Sequence, residues 1–198
     1  MCALLKPLSV RQELLRRNVA FFTPQDFQRI FQINHFQTKY YLEEHTRAGL
    51  FWRLKKGLYV LKTDPPMEEE IANLLYRPSY LSFEYALGAY NILPEMPYMV
   101  TSATTKPTRT FEVGGKAFSY STIKRQAFAG YLPVKRAGRT ILLAEPEKAL
   151  VDYLYFVALG KKAANERLYL VDLDKQKVFH YSSLYQRPGL DKLLEAML

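Results

Sequence analysis

The sequence predicts an α+β chain in two parts: a helical module closed by a β-hairpin over residues 1–62, and a mixed α+β C-terminal domain over residues 66–198. Three observations predict it. Two short amphipathic patterns with helix caps crowd into residues 23–49, and two apolar runs bent at Gly57, "LFWRL" and "LYVLK", follow directly. Beyond the prolines of "KTDPPMEEE", helical patterns are interleaved with β-rich stretches.

In the first part, "SVRQELLRRN" opens with Ser9 as an N-cap, and Leu14 and Leu15 supply a partial apolar face. "TPQDFQRIFQ" has Thr23 as N-cap, Pro24 at the first helical position and Asp26 three residues past the cap. Phe27, Ile30 and Phe31 then fall at i, i+3 and i+4 and form the buried stripe. Asn34 with Gln37 makes a capping box for the next helix. Thr38, Tyr41, Leu42 and His45 share its inner face, with His45 expected in the core, and Gly49 ends it. His35, Phe36, Gln37, Lys39, Tyr40, Glu43 and Arg47 are left on other faces; an exposed Phe36 is odd there, and packing back on the preceding helix is its alternative.

Helix, short turn and polar-faced helix make a helix-turn-helix, and a basic hairpin behind it makes a wing. The charge supports that reading. The chain carries a net charge of +9; residues 1–62 hold 11 Lys/Arg against 4 Asp/Glu, or +7, and residues 63–198 hold 17 against 15, or +2. A concentrated positive field suits a polyanion, because neutralised phosphates release condensed counterions. Double-stranded DNA is therefore the expected partner of the first part. Arg53, Lys55 and Lys56 on the wing would touch phosphate or minor groove. On the helix, His35, Gln37, Lys39, Tyr40 and Arg47 face the groove, with Gln37 suited to adenine and Lys39 or Arg47 to guanine or phosphate. Glu43 and Glu44 act against phosphate contact.

The second part opens with a helix started by Pro66, whose acidic first turn suits a helix N-terminus; Ile71, Leu74 and Leu75 share one face. "SYLSFEYALGAYNIL" reads as a short extended piece and then a helix begun by Ser82. Gly114-Gly115 turns a hairpin between "TRTFEV" and "KAFSYSTI", and Ala137-Gly138 turns another between "YLPVKR" and "RTILLA". "EPEKALVDYLYFVALG" is a helix with Pro146 first and Gly160 past its end. "KVFHYSSLYQ" and "GLDKLLEAML" supply two more. Lys124, Arg125, Lys135, Arg136 and Arg139 lie in or beside the β-rich region. They extend the DNA footprint, contact a protein or RNA partner, or guard exposed strand edges.

Taken together, "RLKKGLYVL", "YLSFEYALGAYNI", "VTSATTKPTRTFEVGGKAFSYSTI", "FAGY" and "ILLAEPEKALVDYLYF" resemble the AbiEi-type antitoxins of type IV abortive-infection toxin–antitoxin systems, regulators of viral defence, over roughly residues 10–160. "AEPEKALVDYLY" is the most specific element. The resemblance implies a cytoplasmic bacterial or archaeal protein that binds inverted repeats upstream of its own operon and represses it. Its C-terminal domain would counter a cognate nucleotidyltransferase-type toxin, with or without a stable complex. Glu145 stands where the family often has Asp, and Glu caps a helix less well. Residues beyond 160 match only loosely.

No catalytic residue, metal site or cofactor is expected. Asp172 and Asp174 in "DLD" resemble the metal-holding carboxylate pair of nucleotidyltransferases, but the preceding "LYLV" lacks the Gly-Ser step of that motif; Asp174 suits helix capping better. His35, His45 and His180 have no ligand-like spacing with one another or with Cys2, the sole cysteine. Asp152 reads as a structural anchor for a neighbouring loop. No secretory leader or membrane span is expected. The alternative function is a stand-alone winged-helix transcriptional regulator whose C-terminal domain senses a ligand or partner; a third is a nucleotidyltransferase-like enzyme using Asp172 and Asp174.

Overall fold

The computed structural model describes residues 5–170 and 172–198. The chain divides into two compact units, Met1–Met67 and Glu68–Leu198. Among the described residues it is mixed α+β, with eight α-helices, a two-stranded sheet and a six-stranded mixed sheet.

The first unit runs α1 (Pro7–Arg16), α2 (Pro24–Phe31), α3 (His35–Arg47), β1 (Phe51–Lys55) and β2 (Leu58–Leu61). α1 begins behind Lys6, not at Ser9. Proline lacks the N–H that a first turn leaves unpaired and brings a helical φ, so Pro7 takes the first position. At α2 the Thr23 hydroxyl accepts from the Asp26 N–H at 3.1 Å, while the Asp26 carboxylate accepts from the Thr23 N–H at 3.0 Å. That bonding holds the Asp26 carboxyl below the usual carboxylate range. α2 ends at Gln32, left-handed at φ +52°, and the chain re-enters helix at Asn34.

β1 and β2 pair antiparallel around Lys56 and Gly57, with a register irregularity between Arg53 and Lys55. Gly57 sits at φ +76°, where a side chain would be strained. Phe22 adds a bridge to Tyr59, each N–H donating to the other's carbonyl at 3.0 Å. Phe22 is also the centre of the core, 5.7 Å from the Phe27 ring and 5.3 Å from that of Phe51. Val10 and Leu14 from α1 and Tyr41 and Leu42 from α3 close around it. Burying a ring of that size is worth about 1.5–3 kcal/mol, so helices this short are held by packing rather than by intrinsic propensity.

The second unit holds α4 (Glu68–Leu75), β3 (Ser79–Leu81), α5 (Phe83–Ala89), β4 (Val100–Thr104), β5 (Arg109–Val113), β6 (Lys116–Thr122), β7 (Tyr131–Arg136), β8 (Arg139–Ala144), α6 (Pro146–Ala158), α7 (Lys175–Ser183) and α8 (Pro188–Met197). α4 starts at Glu68, two residues later than the Pro66 start expected. The strand order is β5-β6-β4-β3-β8-β7. Both glycine-turned hairpins, β5–β6 and β7–β8, form as antiparallel pairs at the two ends of this sheet. Between them β4 runs parallel to β6, and β3 runs parallel to β8. β4 is buried along its whole length, as a central strand must be, whereas β7 is an edge strand and tolerates Pro133.

α6 is the pivot of this unit, adjoining α5, α7, α8 and β8. Residues 147–154 of it are all buried, including Glu147, Lys148 and Asp152. No described helix is long and apolar enough to cross a membrane.

Candidate nucleic-acid interface

The first unit places its polar surface through α3. The Asn34 side chain accepts from the Gln37 N–H at 2.9 Å, and Gln37 Oε1 accepts from the Asn34 N–H at 3.1 Å. This box fixes where the helix starts and therefore which residues face out. Thr38, Tyr41 and Leu42 turn into the core. Burial pushes the Tyr41 phenol up to about 12. His45 is only half-buried, its ring 4.0 Å from that of Tyr41, so it borders the core instead of filling it.

On the outer side, His35, Phe36, Lys39, Tyr40, Glu43, Glu44 and Arg47 are exposed. Phe36 is 83% exposed, on an outer face, and so does not take the alternative of packing on the preceding helix. Its position directly before the capping residue Gln37 turns it away from the inner stripe, and its nearest ring neighbour is His35 at 6.0 Å. In the hairpin Arg53 and Lys56 are exposed and Lys55 is half-buried.

Charge pairing sorts the cations of this unit. Arg11 binds Asp64 at 2.9 Å, Arg16 and Arg17 share Glu13, and Arg29 binds Asp26 at 2.5 Å. The two arginines hold the Glu13 carboxyl down at about 2. Lys39, Arg47, Arg53 and Lys56 form no ion pair among the described residues. Of the exposed cations with no ion pair among the described residues, Lys39 and Arg47 lie on α3 and Arg53 and Lys56 in the hairpin, while Lys6 precedes α1 and Lys62 follows β2. Gln37 is different. Its Oε1 is committed to the cap, so a two-point pairing with adenine requires the box to open.

In the second unit the five candidate cations separate. Lys124 donates to the Tyr185 carbonyl at 2.5 Å. Arg136 and Arg139 reach Glu69 and Glu70 in the acidic first turn of α4, at 3.3 and 3.8 Å. These three are tied to their own unit, which lowers what they offer an outside partner; Arg125 and Lys135 are exposed. Asp174 caps α7, accepting from the N–H groups of Gln176 and Lys177. Asp172 is exposed, and no cluster of three potential metal ligands occurs among the described residues. Cys2 lies outside the described residues.

Around Asp152 the structure holds more than a loop anchor. The carboxylate accepts from the Tyr80 hydroxyl at 2.9 Å, the Ser82 hydroxyl at 2.7 Å, the Tyr185 hydroxyl and the Lys148 ammonium. Lys148, Asp152, Tyr80, Ser82 and Tyr185 are all fully buried. Burial pushes the Lys148 ammonium down in pKa, opposed by the adjacent Asp152 charge. Burial and Asp152 push the Tyr80 and Tyr185 phenols well up. The cluster is closed to solvent, so it acts as a buried tie between β3, α6 and the end of α7. Its sequence signal was the i, i+4 spacing of Lys148 and Asp152 on a helix whose remaining positions, Glu147 apart, are apolar or aromatic. Ser82 precedes α5 but gives it no side-chain cap: its hydroxyl donates to Asp152, and the Tyr85 N–H of the first turn donates to the Thr101 hydroxyl instead. Glu145 likewise provides no side-chain cap to α6; it binds Lys177 and Tyr181.

No protein-family model matches the chain, and no curated protein matches it.

Proposed function

We propose that the first unit is a winged helix-turn-helix that binds duplex DNA, with α3 in the major groove and the β1–β2 hairpin as the wing. The observation that carries this is the set of exposed cations with no ion pair among the described residues, Lys39 and Arg47 on α3 and Arg53 and Lys56 in the hairpin, in a unit whose other arginines are ion-paired. Phosphate contacts from the hairpin hold register, and the outer side of α3 meets base edges. The whole protein is then an antitoxin that represses its own operon and counters a nucleotidyltransferase-type toxin through residues 68–198. The resemblance of "AEPEKALVDYLY" and its flanking segments supports that half of the reading, and the chain works without catalysis.

A second reading, a solitary regulator with a ligand-sensing second unit, draws support from a cleft of about 450 Å³ lined by Asn73, Arg77, Ser79, Phe128, Tyr131 and Leu142. Aromatic walls beside an arginine suit a planar anion.

The test is a gel shift of the full chain on DNA from upstream of its own gene, against a scrambled duplex of the same composition. Tighter binding to the natural duplex is expected. Absence of binding to both would overturn the DNA reading. Rescue of growth when the chain is co-expressed with a nucleotidyltransferase encoded beside it separates the antitoxin from the solitary regulator.

A further inference from the structure

Phe36 and Tyr40 stand one turn apart on the outer side of α3, 83% and 71% exposed, although the helix buries Thr38, Tyr41 and Leu42 on its inner side. Two aromatic rings left in water on one ridge call for an occupant with apolar groups of its own. What surrounds them narrows the choice. Lys39 lies between them in sequence, Arg47 follows on the same helix, Arg53 and Lys56 belong to the hairpin of the same unit, and none of these four is ion-paired among the described residues. An apolar protein surface would leave those charges desolvated and unmatched. A polyanion with carbon groups set inside its charged rim matches both. The DNA major groove has that construction: phosphates at its edges, and the thymine C5-methyl as the apolar group among the base edges.

We infer that Phe36 and Tyr40 read thymine methyl groups in the major groove, and so select A·T pairs and DNA over RNA. This rests on the winged-helix reading above. Phe36 is the second residue of α3, in the end of the helix that enters the groove deepest in helix-turn-helix docking. Double-stranded RNA offers uracil without the methyl, in a major groove too narrow for side chains. Glu43, one turn beyond Tyr40, carries the wrong charge for phosphate and the right one for the cytosine amino group, so it sets where the A·T run stops.

The test uses a duplex selected by the full chain from a random-sequence pool. The same duplex is then remade with uracil in place of every thymine, which deletes the methyl groups alone. Uracil is expected to weaken binding about fourfold for each thymine contacted, the worth of one buried methyl. Phe36→Ala and Tyr40→Ala should each lose part of the thymine preference, and the double variant should bind thymine and uracil duplexes alike, all keeping their salt-dependent affinity, which shows that the fold survives; Phe36→Leu should lose less than Phe36→Ala. If no duplex is enriched from the pool, the DNA reading fails and this inference with it. If a duplex is enriched but thymine and uracil versions bind equally, DNA binding stands and the methyl assignment is overturned. An undiminished thymine preference in Phe36→Ala and Tyr40→Ala would also overturn it.

Discussion

Lys148 and Asp152 lie one turn apart on α6, ion-paired to each other and both wholly buried. A buried pair is tolerated only when its remaining bonding capacity is filled, and here the Tyr80, Ser82 and Tyr185 hydroxyls fill it on the carboxylate. Removing one partner leaves the other charge uncompensated. Lys148→Met is therefore expected to lose about 3–5 kcal/mol of stability, read from the urea midpoint. The double change Lys148→Met with Asp152→Leu removes both charges yet strands three hydroxyls, each at about 1–3 kcal/mol, so it should not recover the wild-type midpoint. Full recovery would show that the hydroxyls bond elsewhere.

Alkaline pH acts on the buried tyrosines. Burial raises the phenols of Tyr80, Tyr85, Tyr120 and Tyr185 above the ordinary 10.0. In the unfolded chain they ionise at that ordinary value while the folded chain keeps its protons. Their stabilisation is thus complete below pH 10 and is lost as pH climbs above it. Lys148 runs the other way, because its folded pKa is lowered: it adds stability as pH rises toward 10.5 and nothing further beyond. The unfolding midpoint should fall steeply from about pH 10.5 upward, and less steeply in Tyr120→Phe. A flat profile there would contradict the buried placement of these rings.

Gly130 is a close-approach position. It holds φ +73°, and an added Cβ would lie 2.6 Å from Tyr181 Cε1 and 2.7 Å from its Cζ. Tyr181 cannot swing aside freely, since its hydroxyl donates to Glu145. Gly130→Ala should cost about 1–3 kcal/mol for the overlap and about 1–2 kcal/mol for the left-handed backbone. Thermal unfolding measures it; a change below about 0.5 kcal/mol would mean that α7 does not pack there.

Local chemistry was legible in the sequence, and long-range pairing was not. The caps at Thr23 and Asn34 and the turns at Gly57, Gly114-Gly115 and Ala137-Gly138 depend on residues a few positions apart. The position of β4 between β6 and β3, parallel to one and antiparallel to the other, depends on partners with no local signature. The same limit explains Lys148: its spacing from Asp152 was visible, but its burial follows from Tyr185 closing over it. Pairing of Arg136 and Arg139 with the acids of α4 was hidden for that reason too. Phe36 lies on an outer face, as its spacing indicates, and the alternative that it packs back on the preceding helix fails at 83% exposure.

The hairpin cations carry a prediction that is independent of sequence recognition. Arg53→Ala with Lys56→Ala should weaken binding to every duplex, natural or scrambled, and lower the slope of log K against log salt by up to about two. Both side chains are exposed, so stability should be unchanged within about 0.5 kcal/mol. An unchanged slope removes them from the phosphate contacts.

Amide hydrogen exchange of the full chain, with and without the selected duplex, tests most directly the proposal that α3 and the hairpin meet DNA. Slowed exchange is expected at the N-terminal half of α3 and at residues 53–57. Protection confined to residues 68–198, with α3 and the hairpin unchanged, would contradict it.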